Sequence, residues 1–121
     1  MNKKIKTKWL KALRSGKYEQ GKEYLRQQQV DEDGNQLGKE SFCCLGVLCD
    51  VIKKDLQNKL DDSLEWDHNY DQSAFDESET ELSERLLSFV GLKPETQSKL
   101  IEMNDNGTSF KKIAGYISKN L

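Results

Sequence analysis

The sequence predicts a mainly α, α+β fold: a single small domain, residues 1–121, of about five helices with a short β-hairpin before a central buried helix. Three observations carry that expectation. The length of 121 residues suits one domain of the common ~100–150-residue class. Apolar residues recur at helical spacing in five separate stretches. Between the first two stretches lies a cluster of turn residues flanked by strand-compatible runs. At 35% hydrophobic residues the core is small, yet Leu, Ile, Val and Phe together exceed the ~20% share below which disorder is expected.

In Lys3 to Ser15, Ile5, Trp9, Leu10 and Leu13 fall at i, i+4, i+5 and i+8, a stripe that Gly16 closes. Residues 23–30 and Glu40-Ser41-Phe42 flank Asp31-Glu32-Asp33-Gly34-Asn35, so they read as a two-stranded hairpin and the only sheet. From Cys43, the run CCLGVLCDVIKKDL sets Leu45, Leu48, Cys49, Ile52 and Leu56 on one helical face, the central helix. Gly46 inside it costs about 1 kcal/mol relative to Ala, which points to a neighbouring backbone packed close against it. Asn58 to Ser78 has no sustained period and reads as a long acidic loop. Ser78 and Glu81 match a capping box ahead of Leu82, Leu86, Leu87 and Val90, with Gly91 as the stop. Pro94 starts a further helix that ends over 104–107. Thr108 or Ser109 caps the last one, whose face is Phe110, Ile113, Ala114, Ile117 and Leu121.

The formal net charge is −2, but the charge is polarised. Met1 to Leu25 holds eight Lys and Arg against two Glu, whereas Asp61 to Glu84 holds ten carboxylates and neither Lys nor Arg. A sequence pI near 5.5 weighs against a dedicated nucleic-acid binder. No window suits a membrane span, and the first ten residues lack a signal-peptide apolar core, so a cytoplasmic protein is expected. Cys43, Cys44 and Cys49, an odd number within seven positions, fit free thiols in a reducing compartment.

Chemistry-bearing constellations are sparse. The DEDGN run fails as an EF-hand begun at Asp31, because Gln36 falls where Gly is needed and Phe42 where a bidentate Glu is needed. Zinc would have only three cysteines without a CxxC pair and the lone His68, so neither a metal nor another cofactor is expected. An enzyme would be a thiol hydrolase with Cys43 or Cys44 as nucleophile at a helix N-terminus and His68 as base. Acidic neighbours make His68 a poor base, and buried thiols are the simpler account. The tail resembles the opening of a helix-turn-helix, but its recognition helix would have to follow Leu121. Leu100 to Leu121 therefore reads as a helical hairpin docked on the core.

Three segments, WLKALRSGKYEQG (Trp9 to Gly21), FCCLGVLCD (Phe42 to Asp50) and MNDNGTSFKKIAGYI (Met103 to Ile117), resemble the signature blocks of a group of small, mostly uncharacterised proteins encoded by tailed bacteriophages and prophages. ELSERLLSFVGL (Glu81 to Leu92) is similar to a weaker fourth block of that group. The resemblance implies an accessory protein of host takeover or counter-defence, acting by non-enzymatic binding of a host protein or a small nucleotide signal in the host cytosol. The alternatives are the cysteine-dependent hydrolase and a DNA-binding adaptor with its Lys-rich first helix on phosphates.

The polar positions matched in that resemblance are Arg14, Tyr18, Asp50, Asn104 and Asp105. With Arg26 as a further cation they compose a candidate pocket, since Arg and Tyr with a convergent amide and carboxylate suit a phosphate- and ribose-bearing ligand. The plain account of the same residues is structural: Arg14 and Asp50 pair or cap, Tyr18 packs its ring, and Asn104-Asp105 ends a helix. A core this thin gains from homodimerisation, but the sequence leaves the oligomeric state open.

Overall fold

A computed structural model describes residues 1–56, 81–82 and 84–121. The acidic loop at 58–78, with His68 and the Ser78 cap, lies outside the described residues.

Helix α1 spans Lys3–Arg14. The Asn2 side chain accepts from the Ile5 N–H at 3.1 Å, satisfying one of the donors a helix start leaves open. Lys11 and Arg14 occupy the last turn, where cations complement the helix dipole. Gly16, at φ +74°, then turns the chain away in the left-handed region. The Asn2 N–H donates to the Val90 carbonyl at 3.0 Å, which docks the start of α1 on the end of a later helix.

The sheet has three strands, one more than expected. β2 (Arg26–Val30) and β3 (Gln36–Phe42) form the anticipated antiparallel hairpin, with Arg26 opposite Phe42 and Gln28 opposite Glu40. The Asp31 carboxylate accepts from the N–H groups of Asp33 and Asn35 at 2.9 and 2.8 Å, an Asx turn rather than a calcium loop. The added strand is β1 (Glu19–Gln20), which pairs parallel to β3 on its other edge, in the order β1-β3-β2. Two residues are too few to carry a period of two, so no pattern in the sequence marks this strand.

Helix α2 (Cys44–Leu56) runs through the core. Leu45, Val47 and Leu48 have no exposed surface, and Cys49 and Ile52 are almost as deeply buried. A Cβ at Gly46 would lie 1.6 Å from the Leu25 carbonyl oxygen, so the sheet's entry strand and α2 touch backbone to backbone. That contact is the close approach the mid-helix glycine announces.

Helices α3 (Glu84–Val90), α4 (Pro94–Asp105) and α5 (Phe110–Asn120) complete the domain. Two of the three end the same way. Gly91 and Gly107 adopt positive φ, while the Leu92 and Thr108 N–H groups reach back to the Leu87 and Met103 carbonyls at 2.9 and 3.0 Å. These are Schellman closures, and they satisfy carbonyls a helix end otherwise leaves open. Ser109 is the cap of α5, accepting from the Lys112 N–H at 3.3 Å. The α4–α5 hairpin docks on the core as expected, α4 against α2 and α5 against α1. The described residues thus form a mainly α domain with five helices and a small sheet.

Candidate functional site

The loop leaving α1 delivers Tyr18 to the side of α2. Its hydroxyl donates to the Asp50 carboxylate, and its ring meets Phe42 edge-on, with centroids 5.1 Å apart at 87°. Tyr18 is therefore held at both ends, by the last residue of β3 and by the second turn of α2. On one flank it borders an open depression of about 370 Å³, lined by Lys8, Lys11, Ser15 and Lys17 together with Ala12 and Val51. On the other flank a second depression of about 580 Å³ continues over Glu19, Gln20, Lys39 and Glu40.

Of the expected site residues, the structure joins Tyr18 to Asp50 by a hydrogen bond. Arg14 is exposed in the last turn of α1 and is not among the residues bordering either depression. Arg26 lies on β2, where its Nε pairs with a Glu40 oxygen at 2.8 Å across the hairpin.

Asn104 has no exposed surface. Its Oδ1 accepts from the Cys44 N–H at 3.2 Å and from Gln20 Nε2 at 3.0 Å, and its Nδ2 donates to the Gly21 carbonyl at 2.8 Å. Gln20 donates also to the Thr108 carbonyl at 2.7 Å. One buried amide thereby ties α4, the first amide of α2 and the β1 strand together. Asp105 beside it accepts from the Glu23 N–H at 2.9 Å and steadies a residue held at φ +70°, a left-handed conformation unusual outside Gly and Asn. Asn104 and Asp105 thus serve a structural junction.

The thiols are interior. Cys43 sits at the N-terminus of α2, and its Sγ accepts from the Gly46 N–H at 3.4 Å. That bond favours thiolate, but loss of solvent outweighs it, and burial pushes the Cys43 pKa up to about 11. Burial raises Cys44 well above the ordinary thiol value, with the neighbouring Cys43 adding to it. Burial raises Cys49 as well. All three are free thiols. Their side chains are therefore protonated at neutral pH, and no described group of three or more His, Cys, Asp or Glu is arranged to hold a metal ion.

Several structural residues carry no sequence signal of their role. Gln97, 5% exposed, accepts from the Leu82 N–H at 2.7 Å and fixes the segment entering α3. The fully buried Trp9 donates its indole N–H to the Cys44 carbonyl at 2.9 Å. Gln20 and Gly21 join the Asn104 junction only because β1 pairs with β3. Each of these contacts spans 15 or more positions, beyond the reach of local periodicity.

A family model described as a domain of unknown function (DUF8296) matches residues 1–121. No curated protein and no solved structure matches the chain.

Proposed function

We propose, from the premise that this chain belongs to the DUF8296 family along its whole length, that it acts by binding and not by bond-breaking chemistry. The observation that carries this reading is the contrast between its two polar regions. The thiols that could attack a substrate are buried and protonated. The open depression beside Tyr18, in contrast, counts Lys8, Lys11 and Lys17 in its lining, with a hydroxyl bonded to a carboxylate at Tyr18. Such a lining suits a small nucleotide: ammonium groups meet phosphate oxygens, and the Tyr18–Asp50 pair meets ribose hydroxyls. The resemblance of three sequence blocks to phage proteins supplies the setting, an accessory protein of host takeover or counter-defence that sequesters a nucleotide signal.

A thermal-shift series with cyclic dinucleotides and ADP-ribose derivatives tests it. A ligand at 100 times its Kd adds about 2.7 kcal/mol to stability, a rise of several degrees in Tm for a domain of this size. Lys11→Gln and Tyr18→Phe are expected to shrink that rise. A series in which every nucleotide leaves Tm unchanged removes the nucleotide reading and shifts the search to a host protein as the ligand.

A further inference from the structure

The polarised charge has a second consequence, which shares Lys8 and Lys11 with the depression beside Tyr18 and extends past it to the last helix. Helices α1 and α5 are far apart in the chain but pack against each other. Neither contains a carboxylate, although the chain has 21 Asp and Glu. Between them they carry nine of its 19 Lys and Arg, six on α1 and three on α5.

On each helix the exposed cations lie opposite its own buried residues. On α1 the exposed ones are Lys3, Lys4, Lys8, Lys11 and Arg14, which at 100° per residue fall within an arc of about 140° opposite the buried Trp9 and Leu13. On α5, Lys111, Lys112 and Lys119 are exposed and lie opposite Phe110, Ile113 and Ile117, which are buried. Two adjacent helices thus turn cationic rows away from the same core, at a helix spacing of about 8–10 Å.

The second observation is Gly115. It sits in the middle of α5, one turn from each of Lys111, Lys112 and Lys119. Among the described residues a Cβ there would meet nothing within 4 Å, in contrast to Gly46, so none of their packing requires a glycine. A helix interior penalises glycine, and a bare backbone at the centre of a charged face is a place where a second chain can come close.

We propose that the exposed lysines of α1 and α5 act together as one surface that docks on the sugar-phosphate backbone of double-stranded DNA, with one strand crossing α5 at Gly115. The composition of the face selects this occupant. Protein interfaces are depleted in Lys and centred on apolar or aromatic anchors, whereas seven of the eight exposed cations here are Lys and the core-facing apolar residues lie on the other side. Unpaired strands need aromatic platforms for stacking, and the exposed large hydrophobic among the described residues, Tyr24, precedes β2 on a different element. Ammonium groups meet the phosphates of DNA and RNA duplexes alike, so duplex RNA is the competitor in the test. The acidic pI describes the whole chain, while phosphates within a Debye length of about 8–10 Å respond chiefly to the local rows.

Fluorescence anisotropy of the full chain with a labelled 20-base-pair duplex of arbitrary sequence tests the proposal. Neutralising about five phosphates gives a slope of log K against log[salt] between about −4 and −5, so that affinity falls several hundred-fold from 50 to 200 mM salt. The combined variant Lys111→Gln, Lys112→Gln, Lys119→Gln is expected to flatten that slope by about 2–3. Gly115→Glu is expected to weaken binding about tenfold or more without lowering Tm, because its Cβ meets none of the described residues within 4 Å. None of these four positions borders the depression beside Tyr18, so a failure here leaves nucleotide binding there unaffected. Absence of DNA binding at 50 mM salt overturns the proposal, as does a triple variant that binds like the parent. Tighter binding of duplex RNA, or release of the DNA by polyglutamate as readily as by unlabelled DNA, also overturns it.

Discussion

Asn104 is the most consequential polar side chain of the core. Three hydrogen bonds from one amide hold α4, the N-terminus of α2 and the β1 strand at a common point without access to solvent. Truncation removes the bonds and strands their partners, and each buried group left without a partner costs about 1–3 kcal/mol. Asn104→Ala is therefore expected to lower unfolding free energy by roughly 3–5 kcal/mol, allowing for partial relaxation around the gap. Asn104→Asp keeps the acceptor and loses the donor to the Gly21 carbonyl, and it also brings a buried charge. Urea unfolding of both variants checks this, and a loss below about 1 kcal/mol for Asn104→Ala means that the junction is not the anchor described. The sequence presents Asn104 as a helix-terminal residue in an Asn-Asp-Asn-Gly run, which it is. The same run gives no hint that its amide points inward, because Gln20, Gly21 and Cys44 reach it from 60 or more positions away.

Helical elements show how one residue type takes opposite roles. Gly46 in α2 and Gly115 in α5 both interrupt good helix formers, yet a Cβ meets the Leu25 carbonyl oxygen at 1.6 Å in one case and nothing within 4 Å in the other. Gly46→Ala must push α2 away from the sheet, and overpacking of this kind costs about 1–3 kcal/mol. Gly115→Ala gains about 0.5–1 kcal/mol from backbone entropy alone. Thermal unfolding of the two single variants is expected to move Tm in opposite directions, and equal signs contradict the packing. The hydrophobic periodicity makes both helices legible, and Gly46 is legible as a close approach. Which backbone approaches it is set by the hairpin, whose Leu25 is brought over α2 by the same carbonyl that accepts from the Cys43 N–H at 3.3 Å.

For the molecule as a whole, burial of the thiols couples stability to alkaline pH. Cys43 ionises near pH 9 in the unfolded chain and near 11 in the folded one, and Cys44 and Cys49 are shifted the same way. Between those limits the unfolded state has lost protons that the native state keeps, so stability is full below about pH 9 and declines as pH rises. The decline is about 1.4 kcal/mol per pH unit for each thiol that stays protonated. Urea midpoints measured at pH 8, 9 and 10 are expected to fall at the last step, and a Cys43→Ala background is expected to fall less. In parallel, a thiol reagent at pH 7.5 is expected to modify the three cysteines slowly in the native protein and rapidly in urea. Rapid native labelling of Cys43 or Cys44 reopens the hydrolase reading, in which a reactive thiolate is required.

By itself the sequence determined the five helical stretches of the described chain, the Asx-turned hairpin and the interior character of the cysteine-bearing helix. All of these depend on neighbours within a few turns, where apolar spacing, caps and turn residues act directly. Tertiary structure alone decided the rest. It added the two-residue strand β1, enclosed Asn104, and drew Tyr18 to Asp50 while leaving Arg26 with Glu40. It also packed α5 against α1. The physical reason is common to all four: each depends on groups brought together by burial of the shared core, and a long-range contact has no period for a local pattern to carry.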